Sequence, residues 1–249
     1  MAILFGLLRG PETRFLRQSK RHTSRPTAYL CPDRISRQPF QKPCGHIYQA
    51  IEPMLIKASR ITNLTDARYF AAKEVDFLGF NLEEGSEGYL DPIYMKAIRE
   101  WVEGPKIVGE FSRARVEYVR EAASFFGLDA VQVTANYAAQ LADLEGLAVI
   151  LETEANSAEE RFFHAASPCV SYFLVKMPSV AAVFERKDFW QKTCADYPLL
   201  LQIDAAAEQL PLILEALKPA GLSLVGSEEE KVGVKSFDEI ETIFEFLGR

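Results

Sequence analysis

The chain has 249 residues, of which 48% are hydrophobic and 25% charged, a balance that excludes collagen-like and disulfide-rich proteins and is typical of a globular core. No run approaches the roughly 20 apolar residues that a membrane-spanning helix needs, so no membrane association is expected. The net charge of −7 is uneven: residues 1–53 hold nine Lys or Arg and three acids, which leaves about −13 on residues 54–249. That acidic body excludes a nucleic-acid partner, which needs clustered positive charge.

Residues 1–53 differ in kind from the rest of the chain. They hold six of the thirteen prolines, are rich in arginine and show no sustained period of 2 or 3.6. We expect this segment to be disordered. Three interpretations stay open: an organelle leader, a weak secretion signal, or a mis-assigned start with translation beginning at Met54. The last fits the position of Met54 directly before the first strand pattern.

From Met54 onward, short β-rich runs alternate with helical patterns eight times. The strand candidates, in chain order, are MLIKAS, FLGFNL, KIVGEFS, AVQVTA, LAVILETE, SYFLVKM, PLLLQID and GLSLVGS. The helical patterns between them include LTDARYFAAKEV, DPIYMKAIREWV, ARVEYVREAASFFG, SAEERFFHAAS, LPLILEALKP and SFDEIETIFEFLG. Such alternation indicates βαβ units and a parallel sheet, so residues 54–249 are predicted to form one (β/α)₈ TIM barrel.

Local signals within the helical patterns agree with that fold. Thr62 or Asn63 can cap the first helix, whose first turn carries Asp66. In the third helix, apolar residues recur at helical spacing from Val116 to Phe126 and predict a face that packs on the sheet. Aromatic residues of the helical segments are expected to pack between helix and sheet; they are Trp101, Phe125, Phe126, Phe162, Phe163, Phe189 and Trp190.

The cysteines give no sign of a disulfide or metal framework. Cys31, Cys44, Cys169 and Cys194 form no CxxC pair, and Cys44 with His46 supplies only two ligands where tetrahedral zinc needs four. We therefore expect reduced thiols, a cytoplasmic location, and neither metal nor cofactor.

Five stretches together carry a family resemblance: IKASRITNLTDARYFAAKEVDFLGF, GSEGYLDP, KIVGEFS, GLDAVQV and VGVKSFDEIETIFEFL. They resemble phosphoribosylanthranilate isomerase of tryptophan biosynthesis, in the right order from Met54 to the C-terminus. The resemblance implies a (β/α)₈ barrel and an aldose–ketose isomerase. In that family an aspartate opens the ribose ring as acid, and a cysteine of a Lys-x-Cys-Gly-Ile-Thr motif removes the C2 proton.

The positions that match these catalytic residues are substituted here. In KASRIT, Lys57 is retained, but Ser59 stands for the cysteine and Arg60 for the glycine. A serine hydroxyl needs a neighbouring base, and no histidine is placed to serve. At the end of the sixth strand, Lys176 stands for the acid.

The family's phosphate-binding glycines and a mouth arginine are substituted as well. The stretch after the sixth strand, VFERKDFW, has no glycine; Gln202-Ile203-Asp204 and Val225-Gly226-Ser227 replace the later loops, and Gly88 replaces the arginine. A phosphate would lose the backbone N–H groups that the family offers it.

The favoured hypothesis is therefore a barrel that has lost the parent reaction, a pseudoenzyme kept for a small polar ligand at its C-terminal mouth or for a protein partner. An active isomerase with altered residues stays open. So does a Schiff-base enzyme using Lys176, although nearby acids favour the protonated amine. The candidate mouth residues are Lys57, Ser59, Arg60, Glu110, Gln132, Thr134, Glu152, Lys176, Gln202, Asp204 and Ser227.

Overall fold

The computed structural model describes residues 54–225 and 237–248 of the chain. The predicted disordered extension, residues 1–53, and the loop that contains Ser227 lie outside the described residues. Within the described ranges, no helix is long and apolar enough to cross a bilayer.

Eight parallel strands pair in chain order and close into a barrel. They are β1 Leu55–Ser59, β2 Phe77–Asn81, β3 Lys106–Phe111, β4 Ala130–Thr134, β5 Val149–Glu154, β6 Tyr172–Met177, β7 Leu199–Ile203 and β8 Gly221–Val225. The closing pair runs in register from Leu55 opposite Gly221 to Ser59 opposite Val225. Each strand falls within a predicted run, and the (β/α)₈ barrel is confirmed.

Helices cover the outside of the barrel between the strands. They are α1 Leu64–Ala72, α2 Pro92–Arg99, α3 Val116–Phe126, α4 Glu160–Ala166, α5 Val180–Glu185, α6 Lys187–Asp196, α7 Leu210–Leu217 and α8 Asp238–Leu247. The crossing from β4 to β5 runs instead through a 3₁₀ helix, Ala135–Leu144. The six named helical patterns are all present.

Helix ends follow the chemistry of their residues. The Asn63 side chain caps α1 by accepting a hydrogen bond of 2.9 Å from the backbone N–H of Asp66. Gly127 ends α3 in the left-handed conformation, with φ of 58°. On the inward face of α3, Val116, Val119 and Ala123 are buried as the periodicity predicts.

The aromatic prediction is wrong for two residues. Trp190 and Phe163 are fully buried between helices and sheet, as expected, but Trp101 is 69% and Phe125 83% exposed. Trp101 follows the end of α2, and Phe125 sits on the outer side of α3 next to the inward-facing Phe126. Apolar character alone did not fix which way these rings point.

Candidate functional site

Inward-facing side chains fill the barrel in two layers of different polarity. The layer nearer the strand starts is an apolar cluster of Phe77, Val108, Ala130, Ile150, Leu174 and Leu200. Because alternate residues of a strand share a face, the residues two positions further on also point inward. That second layer consists of Lys57, Gly79, Glu110, Gln132, Glu152, Lys176, Gln202 and Ser223. The barrel therefore has an apolar floor and a polar mouth at its C-terminal end.

The first polar group, here the Lys57 cluster, consists of Lys57, Ser59, Glu110 and Ser223. Lys57 is fully buried and forms an ion pair with Glu110 across the intervening β2. Its Nζ also donates to Ser59 Oγ at 2.6 Å, and Ser59 Oγ lies 2.8 Å from Ser223 Oγ. Since a lone buried charge is costly, the carboxylate of Glu110 is what permits an ammonium at this depth.

The Lys57 cluster depends on the absence of a side chain at Gly79 of β2. A Cβ built on Gly79 would lie 2.0 Å from Glu110 Oε1 and 2.6 Å from Lys57 Nζ. Neither of those buried groups can withdraw to solvent. The glycine therefore provides the space in which the ion pair of β1 and β3 forms.

The second polar group, the Lys176 cluster, joins three adjacent strands. Lys176 Nζ binds Glu152 Oε1 at 2.5 Å, and the side-chain amide of Gln132 donates to Glu152 Oε2 at 2.7 Å. Exposure rises along the row, from 5% for Gln132 to 14% and 35% for the side chains of Glu152 and Lys176. Both oxygens of the carboxylate are thus occupied by partners within the protein.

One buried polar atom of the Lys176 cluster has no partner in the described part of the chain. Among the described residues nothing donates to the side-chain oxygen of Gln132, although that oxygen is buried. The hydrogen bond to Glu152 fixes the orientation of the amide, because its nitrogen must face the carboxylate. The oxygen is therefore an acceptor that lacks a donor.

Arg60 follows β1 in a conformation that favours glycine. Its φ is 57°, in the left-handed region that costs most L-residues about 1–2 kcal/mol. Its guanidinium pairs with Glu87 at 3.1 Å and passes over Gly88, where an added Cβ would lie 3.6 Å from Arg60 Nε. The glycine implied by the resemblance would fit this backbone without strain, and the arginine keeps the same turn at a cost.

Besides Arg60, three predicted mouth residues in the described ranges join neither cluster. Thr134 donates to the carbonyl of Ser112 at 3.1 Å, which ties the end of β4 to the residue that follows β3. Gln202 is half-buried opposite Lys176 in the strand register, and Asp204 is exposed. Within residues 54–225 no hydrogen bond connects Gln202 or Asp204 to the clusters. Ser227 lies outside the described residues.

Three residues that shape the mouth were not predicted from the sequence: Ser223, Gly79 and Glu83. Ser223 is visible only once the register of β8 is known, whereas Gly79 inside a strand was a signal of close approach. Glu83 accepts hydrogen bonds from the backbone N–H of Ser112 at 2.7 Å and of Arg113 at 2.9 Å. Burial alone would raise the pKa of Glu83, but a hydrogen bond from the Ser112 hydroxyl, at 2.6 Å, together with these two from the backbone outweighs it and lowers that pKa.

The loops after β6 and β7 offer no glycine-rich cradle. No glycine occurs between Met177 and Gln209. After β6 the chain turns at once into α5, and the Ser179 side chain accepts from the backbone N–H of Ala182 at 3.2 Å. The backbone donors that could have met an anion are therefore partly used within the fold.

Comparisons with known proteins agree with the fold. No protein-family model and no curated protein sequence matches the chain. Solved structures match across 78–79% of this chain and 98–99% of theirs. The phosphoribosylanthranilate isomerase from Thermus thermophilus has a TM-score of 0.63 and 24% identity. The isomerases from Thermotoga maritima and Thermococcus kodakaraensis have TM-scores of 0.63 and 0.61 and identities of 20% and 17%. The chain therefore has the barrel fold of these isomerases.

Proposed function

We propose that this protein is a phosphoribosylanthranilate isomerase-like barrel that does not catalyse the parent rearrangement and binds a small polar ligand at its mouth. A cytoplasmic location and a protein partner for the same barrel belong to the proposal. The observation that carries it is the pairing of the mouth cations. Among the described strand ends, Lys57 is bound to Glu110, Lys176 to Glu152 and Arg60 to Glu87.

This pairing bears on each step of the parent reaction. An acid must protonate the ring oxygen and a base must take the C2 proton. Ser59 is hydrogen-bonded to Lys57, which acts as a donor to it and supplies no base. Lys176 donates to Glu152, so its ammonium is held within the protein. Removing an acid or a base alone costs about 10²–10⁴-fold, and both positions are substituted.

Acidic side chains at the mouth disfavour the binding of a phosphate ester. The mouth carries acids beyond the paired ones, with Asp204 and Glu154 both exposed at strand ends. The loops after β6 and β7 lack glycines that would present backbone N–H groups. A dianionic ligand would meet carboxylates there, at short range and near low-dielectric protein, where repulsion is strong.

A second candidate is an active isomerase in which neighbouring carboxylates replace the lost groups. One observation favours it: an acid lies near the substituted ends of β1 and β6. Glu110 accepts from the backbone N–H of Arg60 and pairs with Lys57, the hydrogen-bond partner of Ser59, and Glu152 pairs with Lys176. Glu110 would then act as base and Glu152 as acid. The Schiff-base alternative has less support, because the amine of Lys176 is bound to Glu152 and is not free to attack a carbonyl.

Complementation of a tryptophan auxotroph that lacks the isomerase separates these candidates. We expect the full chain to give no growth and the purified protein to turn over phosphoribosylanthranilate no faster than background. The variant Ser59→Cys with Lys176→Asp tests whether restoring both groups restores the reaction. Growth of the unmodified chain would overturn the proposal, and its loss in Glu110→Gln or Glu152→Gln would establish the second candidate. Immunoblots check that all variants accumulate equally.

A further inference from the structure

Gln132 presents an unusual feature for a barrel interior, because its side-chain oxygen is buried among the described residues without a donor. An unmatched buried acceptor costs free energy, so native proteins rarely keep one without a use. Gln132 itself is 5% exposed and its amide nitrogen is held by Glu152. The unmatched oxygen therefore cannot be exchanged for the nitrogen by a flip of the amide.

The surroundings of this oxygen are rich in acceptors. Gln132 lies opposite Glu110 in the register of β3 and β4, and it bonds to Glu152 on its other side. The oxygens of both carboxylates already receive donors from Lys57, Lys176, Gln132 or the backbone of Arg60. What this part of the mouth lacks is one further hydrogen-bond donor.

We propose that Gln132 Oε1 anchors the ligand of the mouth, which is a neutral or cationic molecule that donates a hydrogen bond from a hydroxyl, amide or ammonium group. This inference rests on the proposed function and adds the chemical class of the ligand. It excludes phosphate esters, which bring acceptors and negative charge to a place that holds both already.

A ligand would enter from the most exposed side of the Lys176 cluster. Lys176 is the outermost of the three side chains, with 35% of its side chain exposed, and Glu152 is its one side-chain partner among the described residues. Its long, flexible stem can swing outward and still keep its head in water. A ligand donor would reach the amide oxygen from this solvent side, with the hydrogen bond between Gln132 and Glu152 kept in place.

Binding at this site can be followed by NMR of the ¹⁵N-labelled full chain through the side-chain amide signals of Gln132. These signals are assigned as the ones that disappear in the variant Gln132→Met. Three small probes differ in the group they offer: glycerol, ethanolamine and glycerol 3-phosphate. We expect glycerol or ethanolamine to shift the Gln132 signals saturably, and glycerol 3-phosphate to bind no more tightly than glycerol.

The variants test the anchor itself. Binding of the same probe, followed by the backbone amides of β4, is expected to weaken about tenfold in Gln132→Met, as the loss of one hydrogen bond implies. Gln140→Met is the matched control, because Gln140 is exposed and its replacement leaves binding unchanged. Circular dichroism checks that both variants keep the fold.

Three results would overturn the inference. The first is equal binding by Gln132→Met and the native chain, and the second is tighter binding of glycerol 3-phosphate than of glycerol. The third is the absence of any saturable shift, which would assign the missing donor to an enclosed water. None of these results restores isomerase activity, whereas turnover of phosphoribosylanthranilate would refute the proposed function whatever the probes do.

Discussion

Replacing Lys57 by methionine tests whether the Lys57 cluster is held together by a buried ion pair. The change keeps the length of the side chain and removes the ammonium from a position with no solvent exposure. Glu110, whose side chain is 9% exposed, would keep only the backbone N–H of Arg60 at 3.3 Å as a donor. Ser59 would lose the hydrogen bond from Lys57 and keep only the one it shares with Ser223.

The expected loss of stability is large, because breaking a buried pair leaves an uncompensated charge. Removal of one partner of such a pair costs about 3–5 kcal/mol. Removal of both charges in Lys57→Met with Glu110→Leu should recover most of that loss, since apolar replacements of similar volume are often neutral. The double variant is therefore expected to be more stable than Lys57→Met by about 2 kcal/mol or more.

Equilibrium unfolding in urea at pH 7 measures these differences, with the fluorescence of the fully buried Trp190 as a probe of the native core. Lys192→Met is the matched control. Lys192 pairs with Glu160 at 2.6 Å, but the two side chains are 62% and 67% exposed, and no measurable change is expected. The reasoning fails if Lys57→Met costs no more than Lys192→Met, or if the double variant loses the sum of both single changes.

Three further predictions concern other features of the barrel. Gly79→Ala should destabilise the fold by at least about 1–3 kcal/mol, because its Cβ would lie 2.0 Å from Glu110 Oε1, and unchanged urea unfolding would contradict this. The pKa of Glu83 is lowered in the folded state from its ordinary value of 4.5, so the ionised carboxylate stabilises the fold above that value and this stabilisation is lost as the pH falls through the folded pKa. The difference in the free energy of unfolding between the native chain and Glu83→Gln should therefore be constant near neutral pH and become smaller in acid. A difference that grew in acid would contradict this prediction. Burial raises the pKa of the Cys194 thiol from 9.0 to about 12. Iodoacetamide should therefore label Cys194 about a thousandfold more slowly in the folded chain than in the urea-unfolded chain at pH 8, as measured by peptide mass spectrometry. Equal labelling rates would show that the thiol is open to solvent.

The fold could be predicted from the sequence because the strand runs, the helical periodicity and the helix-capping residues all indicated the same (β/α)₈ barrel. A run such as AVQVT in β4 is nearly continuous in apolar residues, as a strand covered on both faces must be. No helical pattern was predicted between β4 and β5, where the alanine-rich segment from Ala135 to Leu144 forms a 3₁₀ helix. The outward turn of Trp101 depended on where α2 ends, which periodicity does not fix.

Only part of the site could be predicted, because the sequence shows which residues lie at the strand ends but not which of them contact each other across the barrel. Strand ends marked Glu110, Glu152 and Lys176 as mouth residues. Their partners required the register: Lys57 meets Glu110 from 53 positions away, and Lys176 meets Glu152 and not Glu110. The unmatched oxygen of Gln132 is a property of three-dimensional packing that no motif carries.

Closure of the barrel brings residues from the beginning of the described chain into contact with residues from its end. Ser59 meets Ser223 across 164 positions, and the Tyr69 hydroxyl donates to Glu241 across 172 positions at 2.8 Å, with the Tyr69 ring stacked on Phe237. A chain still on the ribosome therefore cannot complete its barrel until β8 and α8 have emerged. Until then β1 and β7 remain open edges, ready to pair with other chains. We expect slow synthesis or chaperone shortage to reduce the soluble yield of this protein more than that of a helical bundle of equal length.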